Sequence, residues 1–421
     1  MKKQLFQKYL RCQALKIFLF CACLFSVNAL QAQTPVEQYG QLKVSGNKIV
    51  SEKTSQPVVL RGMSLFWSQW LDKYYNENTL KWLRDDWCAD VIRAAMAVDS
   101  NGQIYNDGYA AYPDREKAKI TTVVDAAIDL GMYVIIDFHS HQANAYLPEA
   151  ITFFKEMAIK YKDKPNVLYE IWNEPMKVGW SNVVKPYCET VIDTIRKYDP
   201  DNIIICGTPS WSQNVDEASQ DAINKPNIAY TLHFYATTHK QWLRNKAEIA
   251  LDNGIALFVT EYGTCESSGD GVMDEEETQT WWGFLEEHKI SYCNWSVADK
   301  DETAAALMPG ASINGNWTES DLSPSGKFVR AQMISKCDKT TGIRSGNAAN
   351  EMHYYPNPFS NTMNIVLKEY STYTVLDVLG KVAEQGAGEG KITIGQALKP
   401  GTYILKIKGD NKESVLKINK F

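Results

Sequence analysis

Eight apolar segments alternate with amphipathic segments over about 300 residues of this 421-residue chain, and each has the composition of a strand buried on both faces. A polar stretch follows, and after it come shorter segments in which apolar and polar residues alternate. These observations predict an α/β protein: a closed parallel (β/α)8 barrel, or TIM barrel, followed by a small all-β sandwich domain. An open doubly wound sheet is disfavoured, because no glycine-rich phosphate loop follows the first strand.

The predicted barrel strands are 58–63, 91–96, 133–138, 167–172, 203–207, 228–234, 256–260 and 291–295. Apolar residues with helical spacing at 120–128 and 184–195 predict two of the intervening helices, which end at Gly131 and before Pro200. A Ser-Gly-Asn turn inside 42–50 predicts a hairpin across the bottom of the barrel.

Four regions are expected along the chain. Residues 1–32 resemble a signal peptide, since five basic residues precede the apolar run 17–30 and Ala32 offers a small residue at the cleavage point. The run is short for a membrane span, so an exported mature protein without a transmembrane helix is expected. The barrel takes 33–337, a Gly/Ser/Thr/Asn-rich linker takes 338–351, and the sandwich takes 352–421.

Charge and cysteine content exclude some classes of function. The net charge is -6, from 44 basic and 50 acidic residues, and no basic stripe interleaved with aromatic residues would follow a phosphate backbone. Nucleic acid is therefore not an expected partner. Six cysteines lie outside the predicted signal peptide, without the spacing of a zinc site. A disulfide is allowed in an exported protein, but the sequence does not assign one.

The predicted strands end in polar and aromatic residues. In such a barrel the carboxyl ends of the strands converge on one face, where catalytic groups are found. A purely structural barrel would place turn formers and helix caps there. This chain places the following residues there instead: Arg93, His139, Asn173, Glu174, His233, Tyr235, Glu261 and Trp295.

Glu174 and Glu261 suit the cleavage of a glycosidic bond. One carboxyl group must donate a proton to the leaving oxygen, and the other must attack the anomeric carbon as a carboxylate. Arg93, if it lies near Glu261, would hold that residue ionised, whereas repulsion and a drier environment would raise the pKa of Glu174. Asn173 would hydrogen-bond the 2-hydroxyl of the sugar.

Simpler interpretations exist for each of these residues. A single glutamate at a strand end is most often a salt-bridge partner or a helix cap, but two in such surroundings favour chemistry. The histidines could be satisfied core residues, and no recognised zinc spacing links His139, His141 and Glu261. Trp295 could belong to the core, whereas Trp70 and Trp211 follow strands in loops, where an indole face suits a sugar ring.

The chain resembles the bacterial cellulases of glycoside hydrolase family 5, subfamily 2, from about residue 36 to residue 334. The motifs that carry the resemblance are RGMS (61–64), KWLRDDW (81–87), RAAM (93–96), YVIID (133–137), IWNEP (171–175), WSQ (211–213), LHFY (232–235), VTEYG (259–263), NWS (294–296) with DK (299–300), and LSPSG (322–326).

The resemblance implies a (β/α)8 barrel and retaining endo-hydrolysis of β-1,4-glucan without a cofactor or metal. It implies Glu174 as acid/base and Glu261 as nucleophile. Around the sugar beside the cleaved bond it places Arg93, His139, Asn173, His233, Tyr235 and Trp295; on neighbouring sugars it places Trp70, Trp211, Lys300 and Glu302. Phe66 and Ala97 depart from a histidine and a tyrosine found in many relatives, so fine substrate preference stays open.

The C-terminal segment resembles the sorting domains of type IX secretion substrates, through YPNPF (355–359), LGK (379–381), PGTYI (400–404) and KINK (417–420). A carbohydrate-binding module is the alternative, but residues 352–421 contain no tryptophan for a cellulose platform. The resemblance implies a partner in the outer-membrane secretion machinery and a secreted or cell-surface location.

The sequence therefore predicts an exported, monomeric endo-β-1,4-glucanase acting on β-glucan. One alternative is a mannanase or another β-glycanase on the same barrel. The alternative from another class is a noncatalytic surface protein that binds glycan, which would be expected to have lost one of the two glutamates.

Overall fold

The computed structural model describes residues 33–99, 107–337, 353–355, 359, 361–378, 380–409 and 413–420. These residues fall into two compact units, one within Gln33–Lys339 and the other within Thr340–Phe421. The predicted signal peptide at 1–32 and the predicted linker at 338–351 lie outside the described residues, so both stay predictions.

The first unit contains ten strands: β1 (Leu42–Ser45), β2 (Lys48–Ser51), β3 (Arg61–Leu65), β4 (Val91–Ala97), β5 (Tyr133–His139), β6 (Val167–Glu170), β7 (Ile204–Cys206), β8 (Ile228–Tyr235), β9 (Ala256–Gly263) and β10 (Ser291–Val297). Strands β3 to β10 form a closed barrel in chain order, with β10 beside β3. All its neighbouring pairs are parallel. The predicted (β/α)8 barrel is confirmed.

The helices of this unit are α1 (Pro35–Tyr39), α2 (Glu77–Asp86), α3 (Pro113–Asp129), α4 (Leu147–Tyr161), α5 (Lys185–Arg196), α6 (Val215–Gln220), α7 (Gln241–Asp252), α8 (Glu275–His288) and α9 (Pro324–Ser335), with single turns at Asp72–Tyr74, Ala143–Tyr146, Trp180–Val184, Pro209–Ser212 and Glu319–Asp321. Helix α3 buries Ile120, Val123 and Val124, as its periodicity predicts. Gly131 follows its C-terminus at φ +68°, where a residue with a Cβ would be strained.

Two apolar layers hold the barrel together. One lies between the strands and the surrounding helices, and the other fills the interior at the lower end. Leu42 of β1 and Ile49 of β2 pack in the lower interior layer with Val91 and Tyr133 of the barrel strands. The antiparallel hairpin of β1 and β2 therefore covers the bottom of the barrel, as predicted.

All eight barrel strands differ from their predicted bounds by one to three residues, and the changes in β3, β6 and β9 affect what lies at their ends. Strand β3 begins at Arg61 rather than at residue 58, because the Leu60 amide donates to the Ser291 hydroxyl. Strand β6 ends at Glu170, so Glu174 lies four residues beyond it. Strand β9 continues to Gly263, so Glu261 lies inside this strand and not after it.

Cys88, two residues beyond the end of α2, forms a disulfide with Cys337 after α9, across a sequence separation of 249 residues. The other cysteines of the described residues, Cys188, Cys206, Cys265 and Cys293, are free and buried. The disulfide therefore attaches the end of the last barrel helix to the beginning of the barrel.

We expect Cys337→Ser to lower the free energy of unfolding by roughly 2–5 kcal/mol, because the unfolded chain loses a very long cross-linked loop. Urea unfolding of the oxidised proteins would measure the change, with Cys265→Ser as the control for removing a thiol. Equal stability of Cys337→Ser and the native protein would contradict this role.

The second unit is an antiparallel sheet of β11 (His353–Tyr355), β12 (Met363–Asp377), β13 (Val382–Ile394), β14 (Gly401–Lys408) and β15 (Glu413–Lys420). The long strand β12 pairs with β13 and also with β11 and β14 at its two ends. Met363, Ile365, Val375 and Leu405 form part of its core. The predicted all-β class is confirmed. Within the described part of the chain, every helix is too short or too polar to cross a membrane.

Candidate active site

The barrel brings the predicted residues together at the carboxyl ends of its strands. Most of them are nearly or completely buried, and all except Trp295 take part in a network of hydrogen bonds. They are Arg93 on β4, His139 on β5, His233 and Tyr235 on β8, Glu261 on β9, Trp295 on β10, and Asn173 and Glu174 in the segment after β6.

Arg93 is the centre of this network, and its side chain is fully buried. Its Nε atom donates to Glu170 Oε2 at 2.7 Å, and Nη1 donates to Glu261 Oε2 at 2.9 Å. Its Nη2 atom donates to Asn173 Oδ1 at 2.5 Å and lies 3.0 Å from Asp137 Oδ2. One planar guanidinium thus holds three carboxyl groups and one amide in fixed positions.

The contact with Arg93 fixes the orientation of Asn173. Because Asn173 Oδ1 accepts from the guanidinium, its Nδ2 group faces His139 Nε2 at 3.5 Å. His139 Nδ1 lies 2.6 Å from Asp137 Oδ2. Burial, with help from the charge of Arg93, lowers the pKa of His139 to about 3, so this imidazole is neutral in ordinary buffers. Burial also raises the pKa of Asp137 to about 7.

Both carboxylate oxygens of Glu261 accept hydrogen bonds. Arg93 donates to Oε2, and the Tyr235 hydroxyl donates to Oε1 at 2.8 Å. Only about 5% of Glu261 is exposed to solvent. The arginine predicted to pair with Glu261 therefore does so, and two donors orient the carboxylate.

Strand β9 carries a bulge beside Glu261. Between the pairs Thr231–Phe258 and His233–Glu261, β8 advances two residues while β9 advances three. Strand β10 shows the same offset against β9. The extra residue breaks the strict alternation of the strand, so the neighbouring residues Thr260 and Glu261 both reach the site.

Glu174 lies between two histidines. His141 Nε2 is 3.0 Å from Glu174 Oε2, and His233 Nδ1 is 2.9 Å from Oε1. Burial alone would raise the pKa of Glu174, but the hydrogen bonds with His141 and His233 outweigh burial and lower it below the ordinary value. The prediction of a raised pKa is therefore wrong for the free protein. Burial acts as predicted in the direction of a higher pKa, but the two histidine contacts together have the larger effect.

The same contact raises the pKa of His141 above its ordinary value of 6.5, because the Glu174 hydrogen bond outweighs the opposing effect of burial. Glu174 and His141 therefore keep one proton between them up to that raised pKa. We expect His141→Gln to move the basic limb of the kcat/KM profile to lower pH, by roughly one pH unit. Glutamine holds no titrating proton, so the limb would lose the contribution of the proton shared with His141.

Kinetics on a soluble oligosaccharide from about pH 4 to about pH 9 would measure the limb. His288→Gln, on the outer helix α8, is the control. A basic limb that stays in place, or moves upward, would contradict the shared proton.

An open cleft runs past the two glutamates, and one carboxylate oxygen of Glu174 lies within 4.8 Å of one of Glu261. Aromatic residues line both sides of this point. On one side lie Phe66, Trp67, Trp70, Trp295, Lys300 and Glu302, and on the other lie Lys177, Trp211, Gln213 and His239.

The predicted aromatic residues differ in their exposure. Trp295 stacks on His139 with a ring separation of 5.3 Å and is 5% exposed, whereas Trp70 is 46% exposed. Trp211 lies in a turn where it and its neighbours Ser210 and Ser212 all have left-handed backbone angles. Such strain in non-glycine residues is typical of binding sites.

Lys300 and Glu302 form an ion pair at the edge of the cleft. The Lys300 ammonium also lies 4.4 Å from the ring centre of Phe66, and Phe66 packs against Trp295. Phe66, one of the two residues that depart from the resembled family, is thus part of the cleft wall.

Glu174, His233 and Glu261 each present one ligand atom within 4.8 Å of the others, a spacing that a metal ion could use. Each of these side chains already has protein partners: His141 for Glu174, Thr260 for His233, and Arg93 with Tyr235 for Glu261. Hydrogen bonding accounts for the cluster, and the prediction that no metal or cofactor takes part stays a prediction.

The sequence interpretation missed four residues of the network: Asp137, His141, Glu170 and Thr260. Asp137 and Glu170 could have been found, because each is a carboxyl group in an apolar strand segment, and Glu261 was predicted from a carboxyl group at the end of such a segment. His141 and Thr260 carry no such signal. Their roles depend on a loop after β5 and on the bulge in β9.

Comparison with known proteins identifies the family. Residues 51–301 match the cellulase family, glycosyl hydrolase family 5. Endoglucanase Z of Dickeya dadantii is 49% identical over 319 residues, covering 75% of this chain and 71% of that protein. Endoglucanase N of Pectobacterium atrosepticum is 46% identical over 312 residues, covering 73% of this chain and 68% of that protein.

Solved structures agree. A structure from Cytophaga hutchinsonii has 55% identity and a TM-score of 0.70, covering 72% of this chain and 98% of that chain. The catalytic domain of Thermobifida fusca endoglucanase Cel5A has 36% identity and a TM-score of 0.68, and the match covers 72% of this chain and 100% of that chain. Residues 353–420 match a secretion system C-terminal sorting domain, which supports export and an interaction with secretion machinery. The chain belongs to glycosyl hydrolase family 5, and it is a glycoside hydrolase with a C-terminal sorting domain.

Proposed function

We propose that this protein is a retaining endo-β-1,4-glucanase that works by double displacement. The observation that carries the mechanism is the separation of the two carboxyl groups, with oxygens of Glu174 and Glu261 within 4.8 Å of each other. Retaining glycosidases hold their carboxyl groups about 5–5.5 Å apart, whereas inverting enzymes leave roughly 6.5–9.5 Å for a water molecule.

Glu261 is the nucleophile in this proposal, and Glu174 is the acid/base. Arg93 and Tyr235 hold the Glu261 carboxylate toward the anomeric carbon. Glu174 protonates the leaving oxygen in the first step and takes a proton from water in the second. Asn173, whose amide N–H group is directed by Arg93, binds the 2-hydroxyl of the sugar.

The remaining predicted residues bind the glucan chain. His139, His233 and Trp295 surround the sugar at the cleaved bond; Trp70, Trp211, Lys300 and Glu302 contact sugars further along the cleft. Because aromatic walls lie on both sides of the glutamates, the cleft suits a bond inside a chain rather than at its end.

β-1,4-Glucan is the proposed substrate because the relatives from Dickeya dadantii and Pectobacterium atrosepticum are named endoglucanases. A mannanase or another β-glycanase remains the alternative on this barrel. A noncatalytic glycan-binding protein is disfavoured because both glutamates lie in an organised site. For export, we propose that residues 1–32 act as the signal peptide and the sorting domain leads the protein to the cell surface or the medium.

The stereochemistry of the first product tests the mechanism. During hydrolysis of a reduced cello-oligosaccharide, proton NMR should show the β-anomer of the new reducing end before mutarotation produces the α-anomer. Initial appearance of the α-anomer would overturn double displacement. Parallel assays with mixed-linkage glucan, xyloglucan and mannan would test the substrate assignment.

A further inference from the structure

A chain of buried hydrogen bonds leads from Glu170 to Glu174. The Thr260 hydroxyl donates to Glu170 Oε1 at 2.7 Å, and His233 Nε2 lies 2.9 Å from Thr260 Oγ1. His233 Nδ1 then meets Glu174 Oε1 at 2.9 Å. Glu170 and Thr260 are fully buried and His233 is 2% exposed, so water does not compete for the two contacts that join these three residues. The β9 bulge directs Thr260 into this chain.

The donor and the acceptor of each hydrogen bond from Glu170 to His233 can be assigned. Arg93 donates to both oxygens of Glu170, at 2.7 and 3.3 Å, so Glu170 is an acceptor. The single hydroxyl proton of Thr260 goes to Glu170, which leaves only a lone pair on Thr260 Oγ1 for His233. His233 Nε2 must therefore carry a proton to complete its contact with Thr260.

Nδ1 of a neutral His233 then has no proton of its own. Its contact with Glu174 Oε1 needs a proton on one of the two atoms, either as an imidazolium beside a carboxylate or as an imidazole beside a carboxylic acid. We propose that Thr260, held by Glu170, is a positioning residue that fixes the Nε2 proton of His233 and thereby keeps a transferable proton between His233 and Glu174. This inference rests on the proposed role of Glu174 as acid/base.

The surroundings of the pair agree with this arrangement. One carboxylate oxygen of Glu261 on β9 and one of Glu174 lie within 4.8 Å of a ring nitrogen of His233. His141 contacts Glu174 from the loop after β5. Arg93 on β4 is directed at Glu170, Glu261 and Asn173.

No proton is gained or lost over the two steps of the reaction, which are the formation and the hydrolysis of the glycosyl ester. In the first, the shared proton passes through Glu174 to the glycosidic oxygen as its bond to the anomeric carbon breaks and Glu261 forms an ester. In the second, Glu174 takes a proton from the attacking water, whose oxygen bonds to the anomeric carbon as the ester breaks, and the contact regains its proton. His233 keeps the Nε2 proton throughout.

Thr260→Val tests the inference, because valine keeps the shape but removes the acceptor. A neutral His233 could then move its proton to Nδ1 and donate to ionised Glu174. The His233 contact would no longer hold a transferable proton, and only the proton shared with His141 would remain. We expect kcat/KM to fall roughly 10- to 100-fold for phenyl β-cellotrioside, which needs an acid, and less than about 3-fold for the 2,4-dinitrophenyl glycoside, which does not. Thr260→Ser should restore the native ratio.

Thr231→Val is the matched control. Thr231 is also fully buried, and its hydroxyl donates at 3.4 Å to the same Glu170 oxygen rather than to His233. This variant should change both substrates less than about 3-fold. Two results would overturn the inference. One is an equal loss of kcat/KM on both substrates in Thr260→Val, and the other is a Thr260→Ser variant with a kcat/KM as low as that of Thr260→Val.

The tautomer provides a second readout that does not depend on activity. Nitrogen-15 NMR of labelled histidine, with His233 assigned through His233→Asn, should show a protonated Nε2 in the native protein and a shift toward protonated Nδ1 in Thr260→Val. The same pattern in both proteins would refute the positioning role. If the native protein cleaves neither glycoside, the proposed function fails, while the tautomer measurement still decides the hydrogen-bond chain.

Discussion

Glu261→Ala is expected to lower kcat on cello-oligosaccharides by roughly 10⁴-fold or more while the protein stays folded. The variant lacks the carboxylate that forms the glycosyl ester, whereas Arg93 keeps its contacts with Glu170 and Asn173. Glu276→Ala is the control, since it removes an exposed carboxylate on the helix that follows β9.

Azide separates loss of the nucleophile from general damage. The small anion can occupy the space left by the Glu261 carboxylate and attack the anomeric carbon of an activated glycoside. We expect azide to restore turnover and to give an α-glycosyl azide, the inverted product. Near-native activity of purified Glu261→Ala would contradict the assignment, and so would a folded variant in which azide rescues nothing.

Arg93→Lys should have the next largest effect. Lysine has one ammonium on a flexible stem, so it cannot donate to Glu170, Glu261 and Asn173 together. We expect kcat to fall roughly 10²- to 10³-fold, because both the nucleophile and the amide lose their fixed orientation. We also expect the free energy of unfolding to fall by about 3–5 kcal/mol, because buried carboxyl groups lose their partner.

Arg61→Lys distinguishes the two effects. Arg61 forms a bidentate ion pair with Glu286, both contacts at 2.7 Å, at the start of β3 and away from the cleft. Lysine there should reduce stability but leave the turnover of the folded protein unchanged. A native kcat in Arg93→Lys would show that the buried network is structural only.

The barrel could be predicted from sequence because a parallel strand that is buried on both faces is a continuous run of apolar residues. Strand β4 is apolar on both faces apart from Arg93, and α3 shows its buried stripe in its own spacing. The strand-end rule then predicted Glu261 and His233, since chain order along a barrel also sets spatial order.

The network around these residues could not be predicted in the same way. Asp137 and Glu170 face one arginine only after the barrel closes, and Thr260 reaches His233 only because β9 has an extra residue. The disulfide partner of Cys88 is 249 residues away. No local spacing encodes contacts of this kind.

The two glutamates show most clearly which properties depend on the sequence alone and which depend on the tertiary structure. The sequence by itself determined the α/β barrel, the pair Glu174 and Glu261, and the arginine that serves the second, because these depend on residue type and on position along strands. Only the tertiary structure decided the protonation of Glu174. Its partners His141 and His233 are 33 and 59 residues distant in the chain, and a pKa depends on charges and donors near in space, not near in sequence.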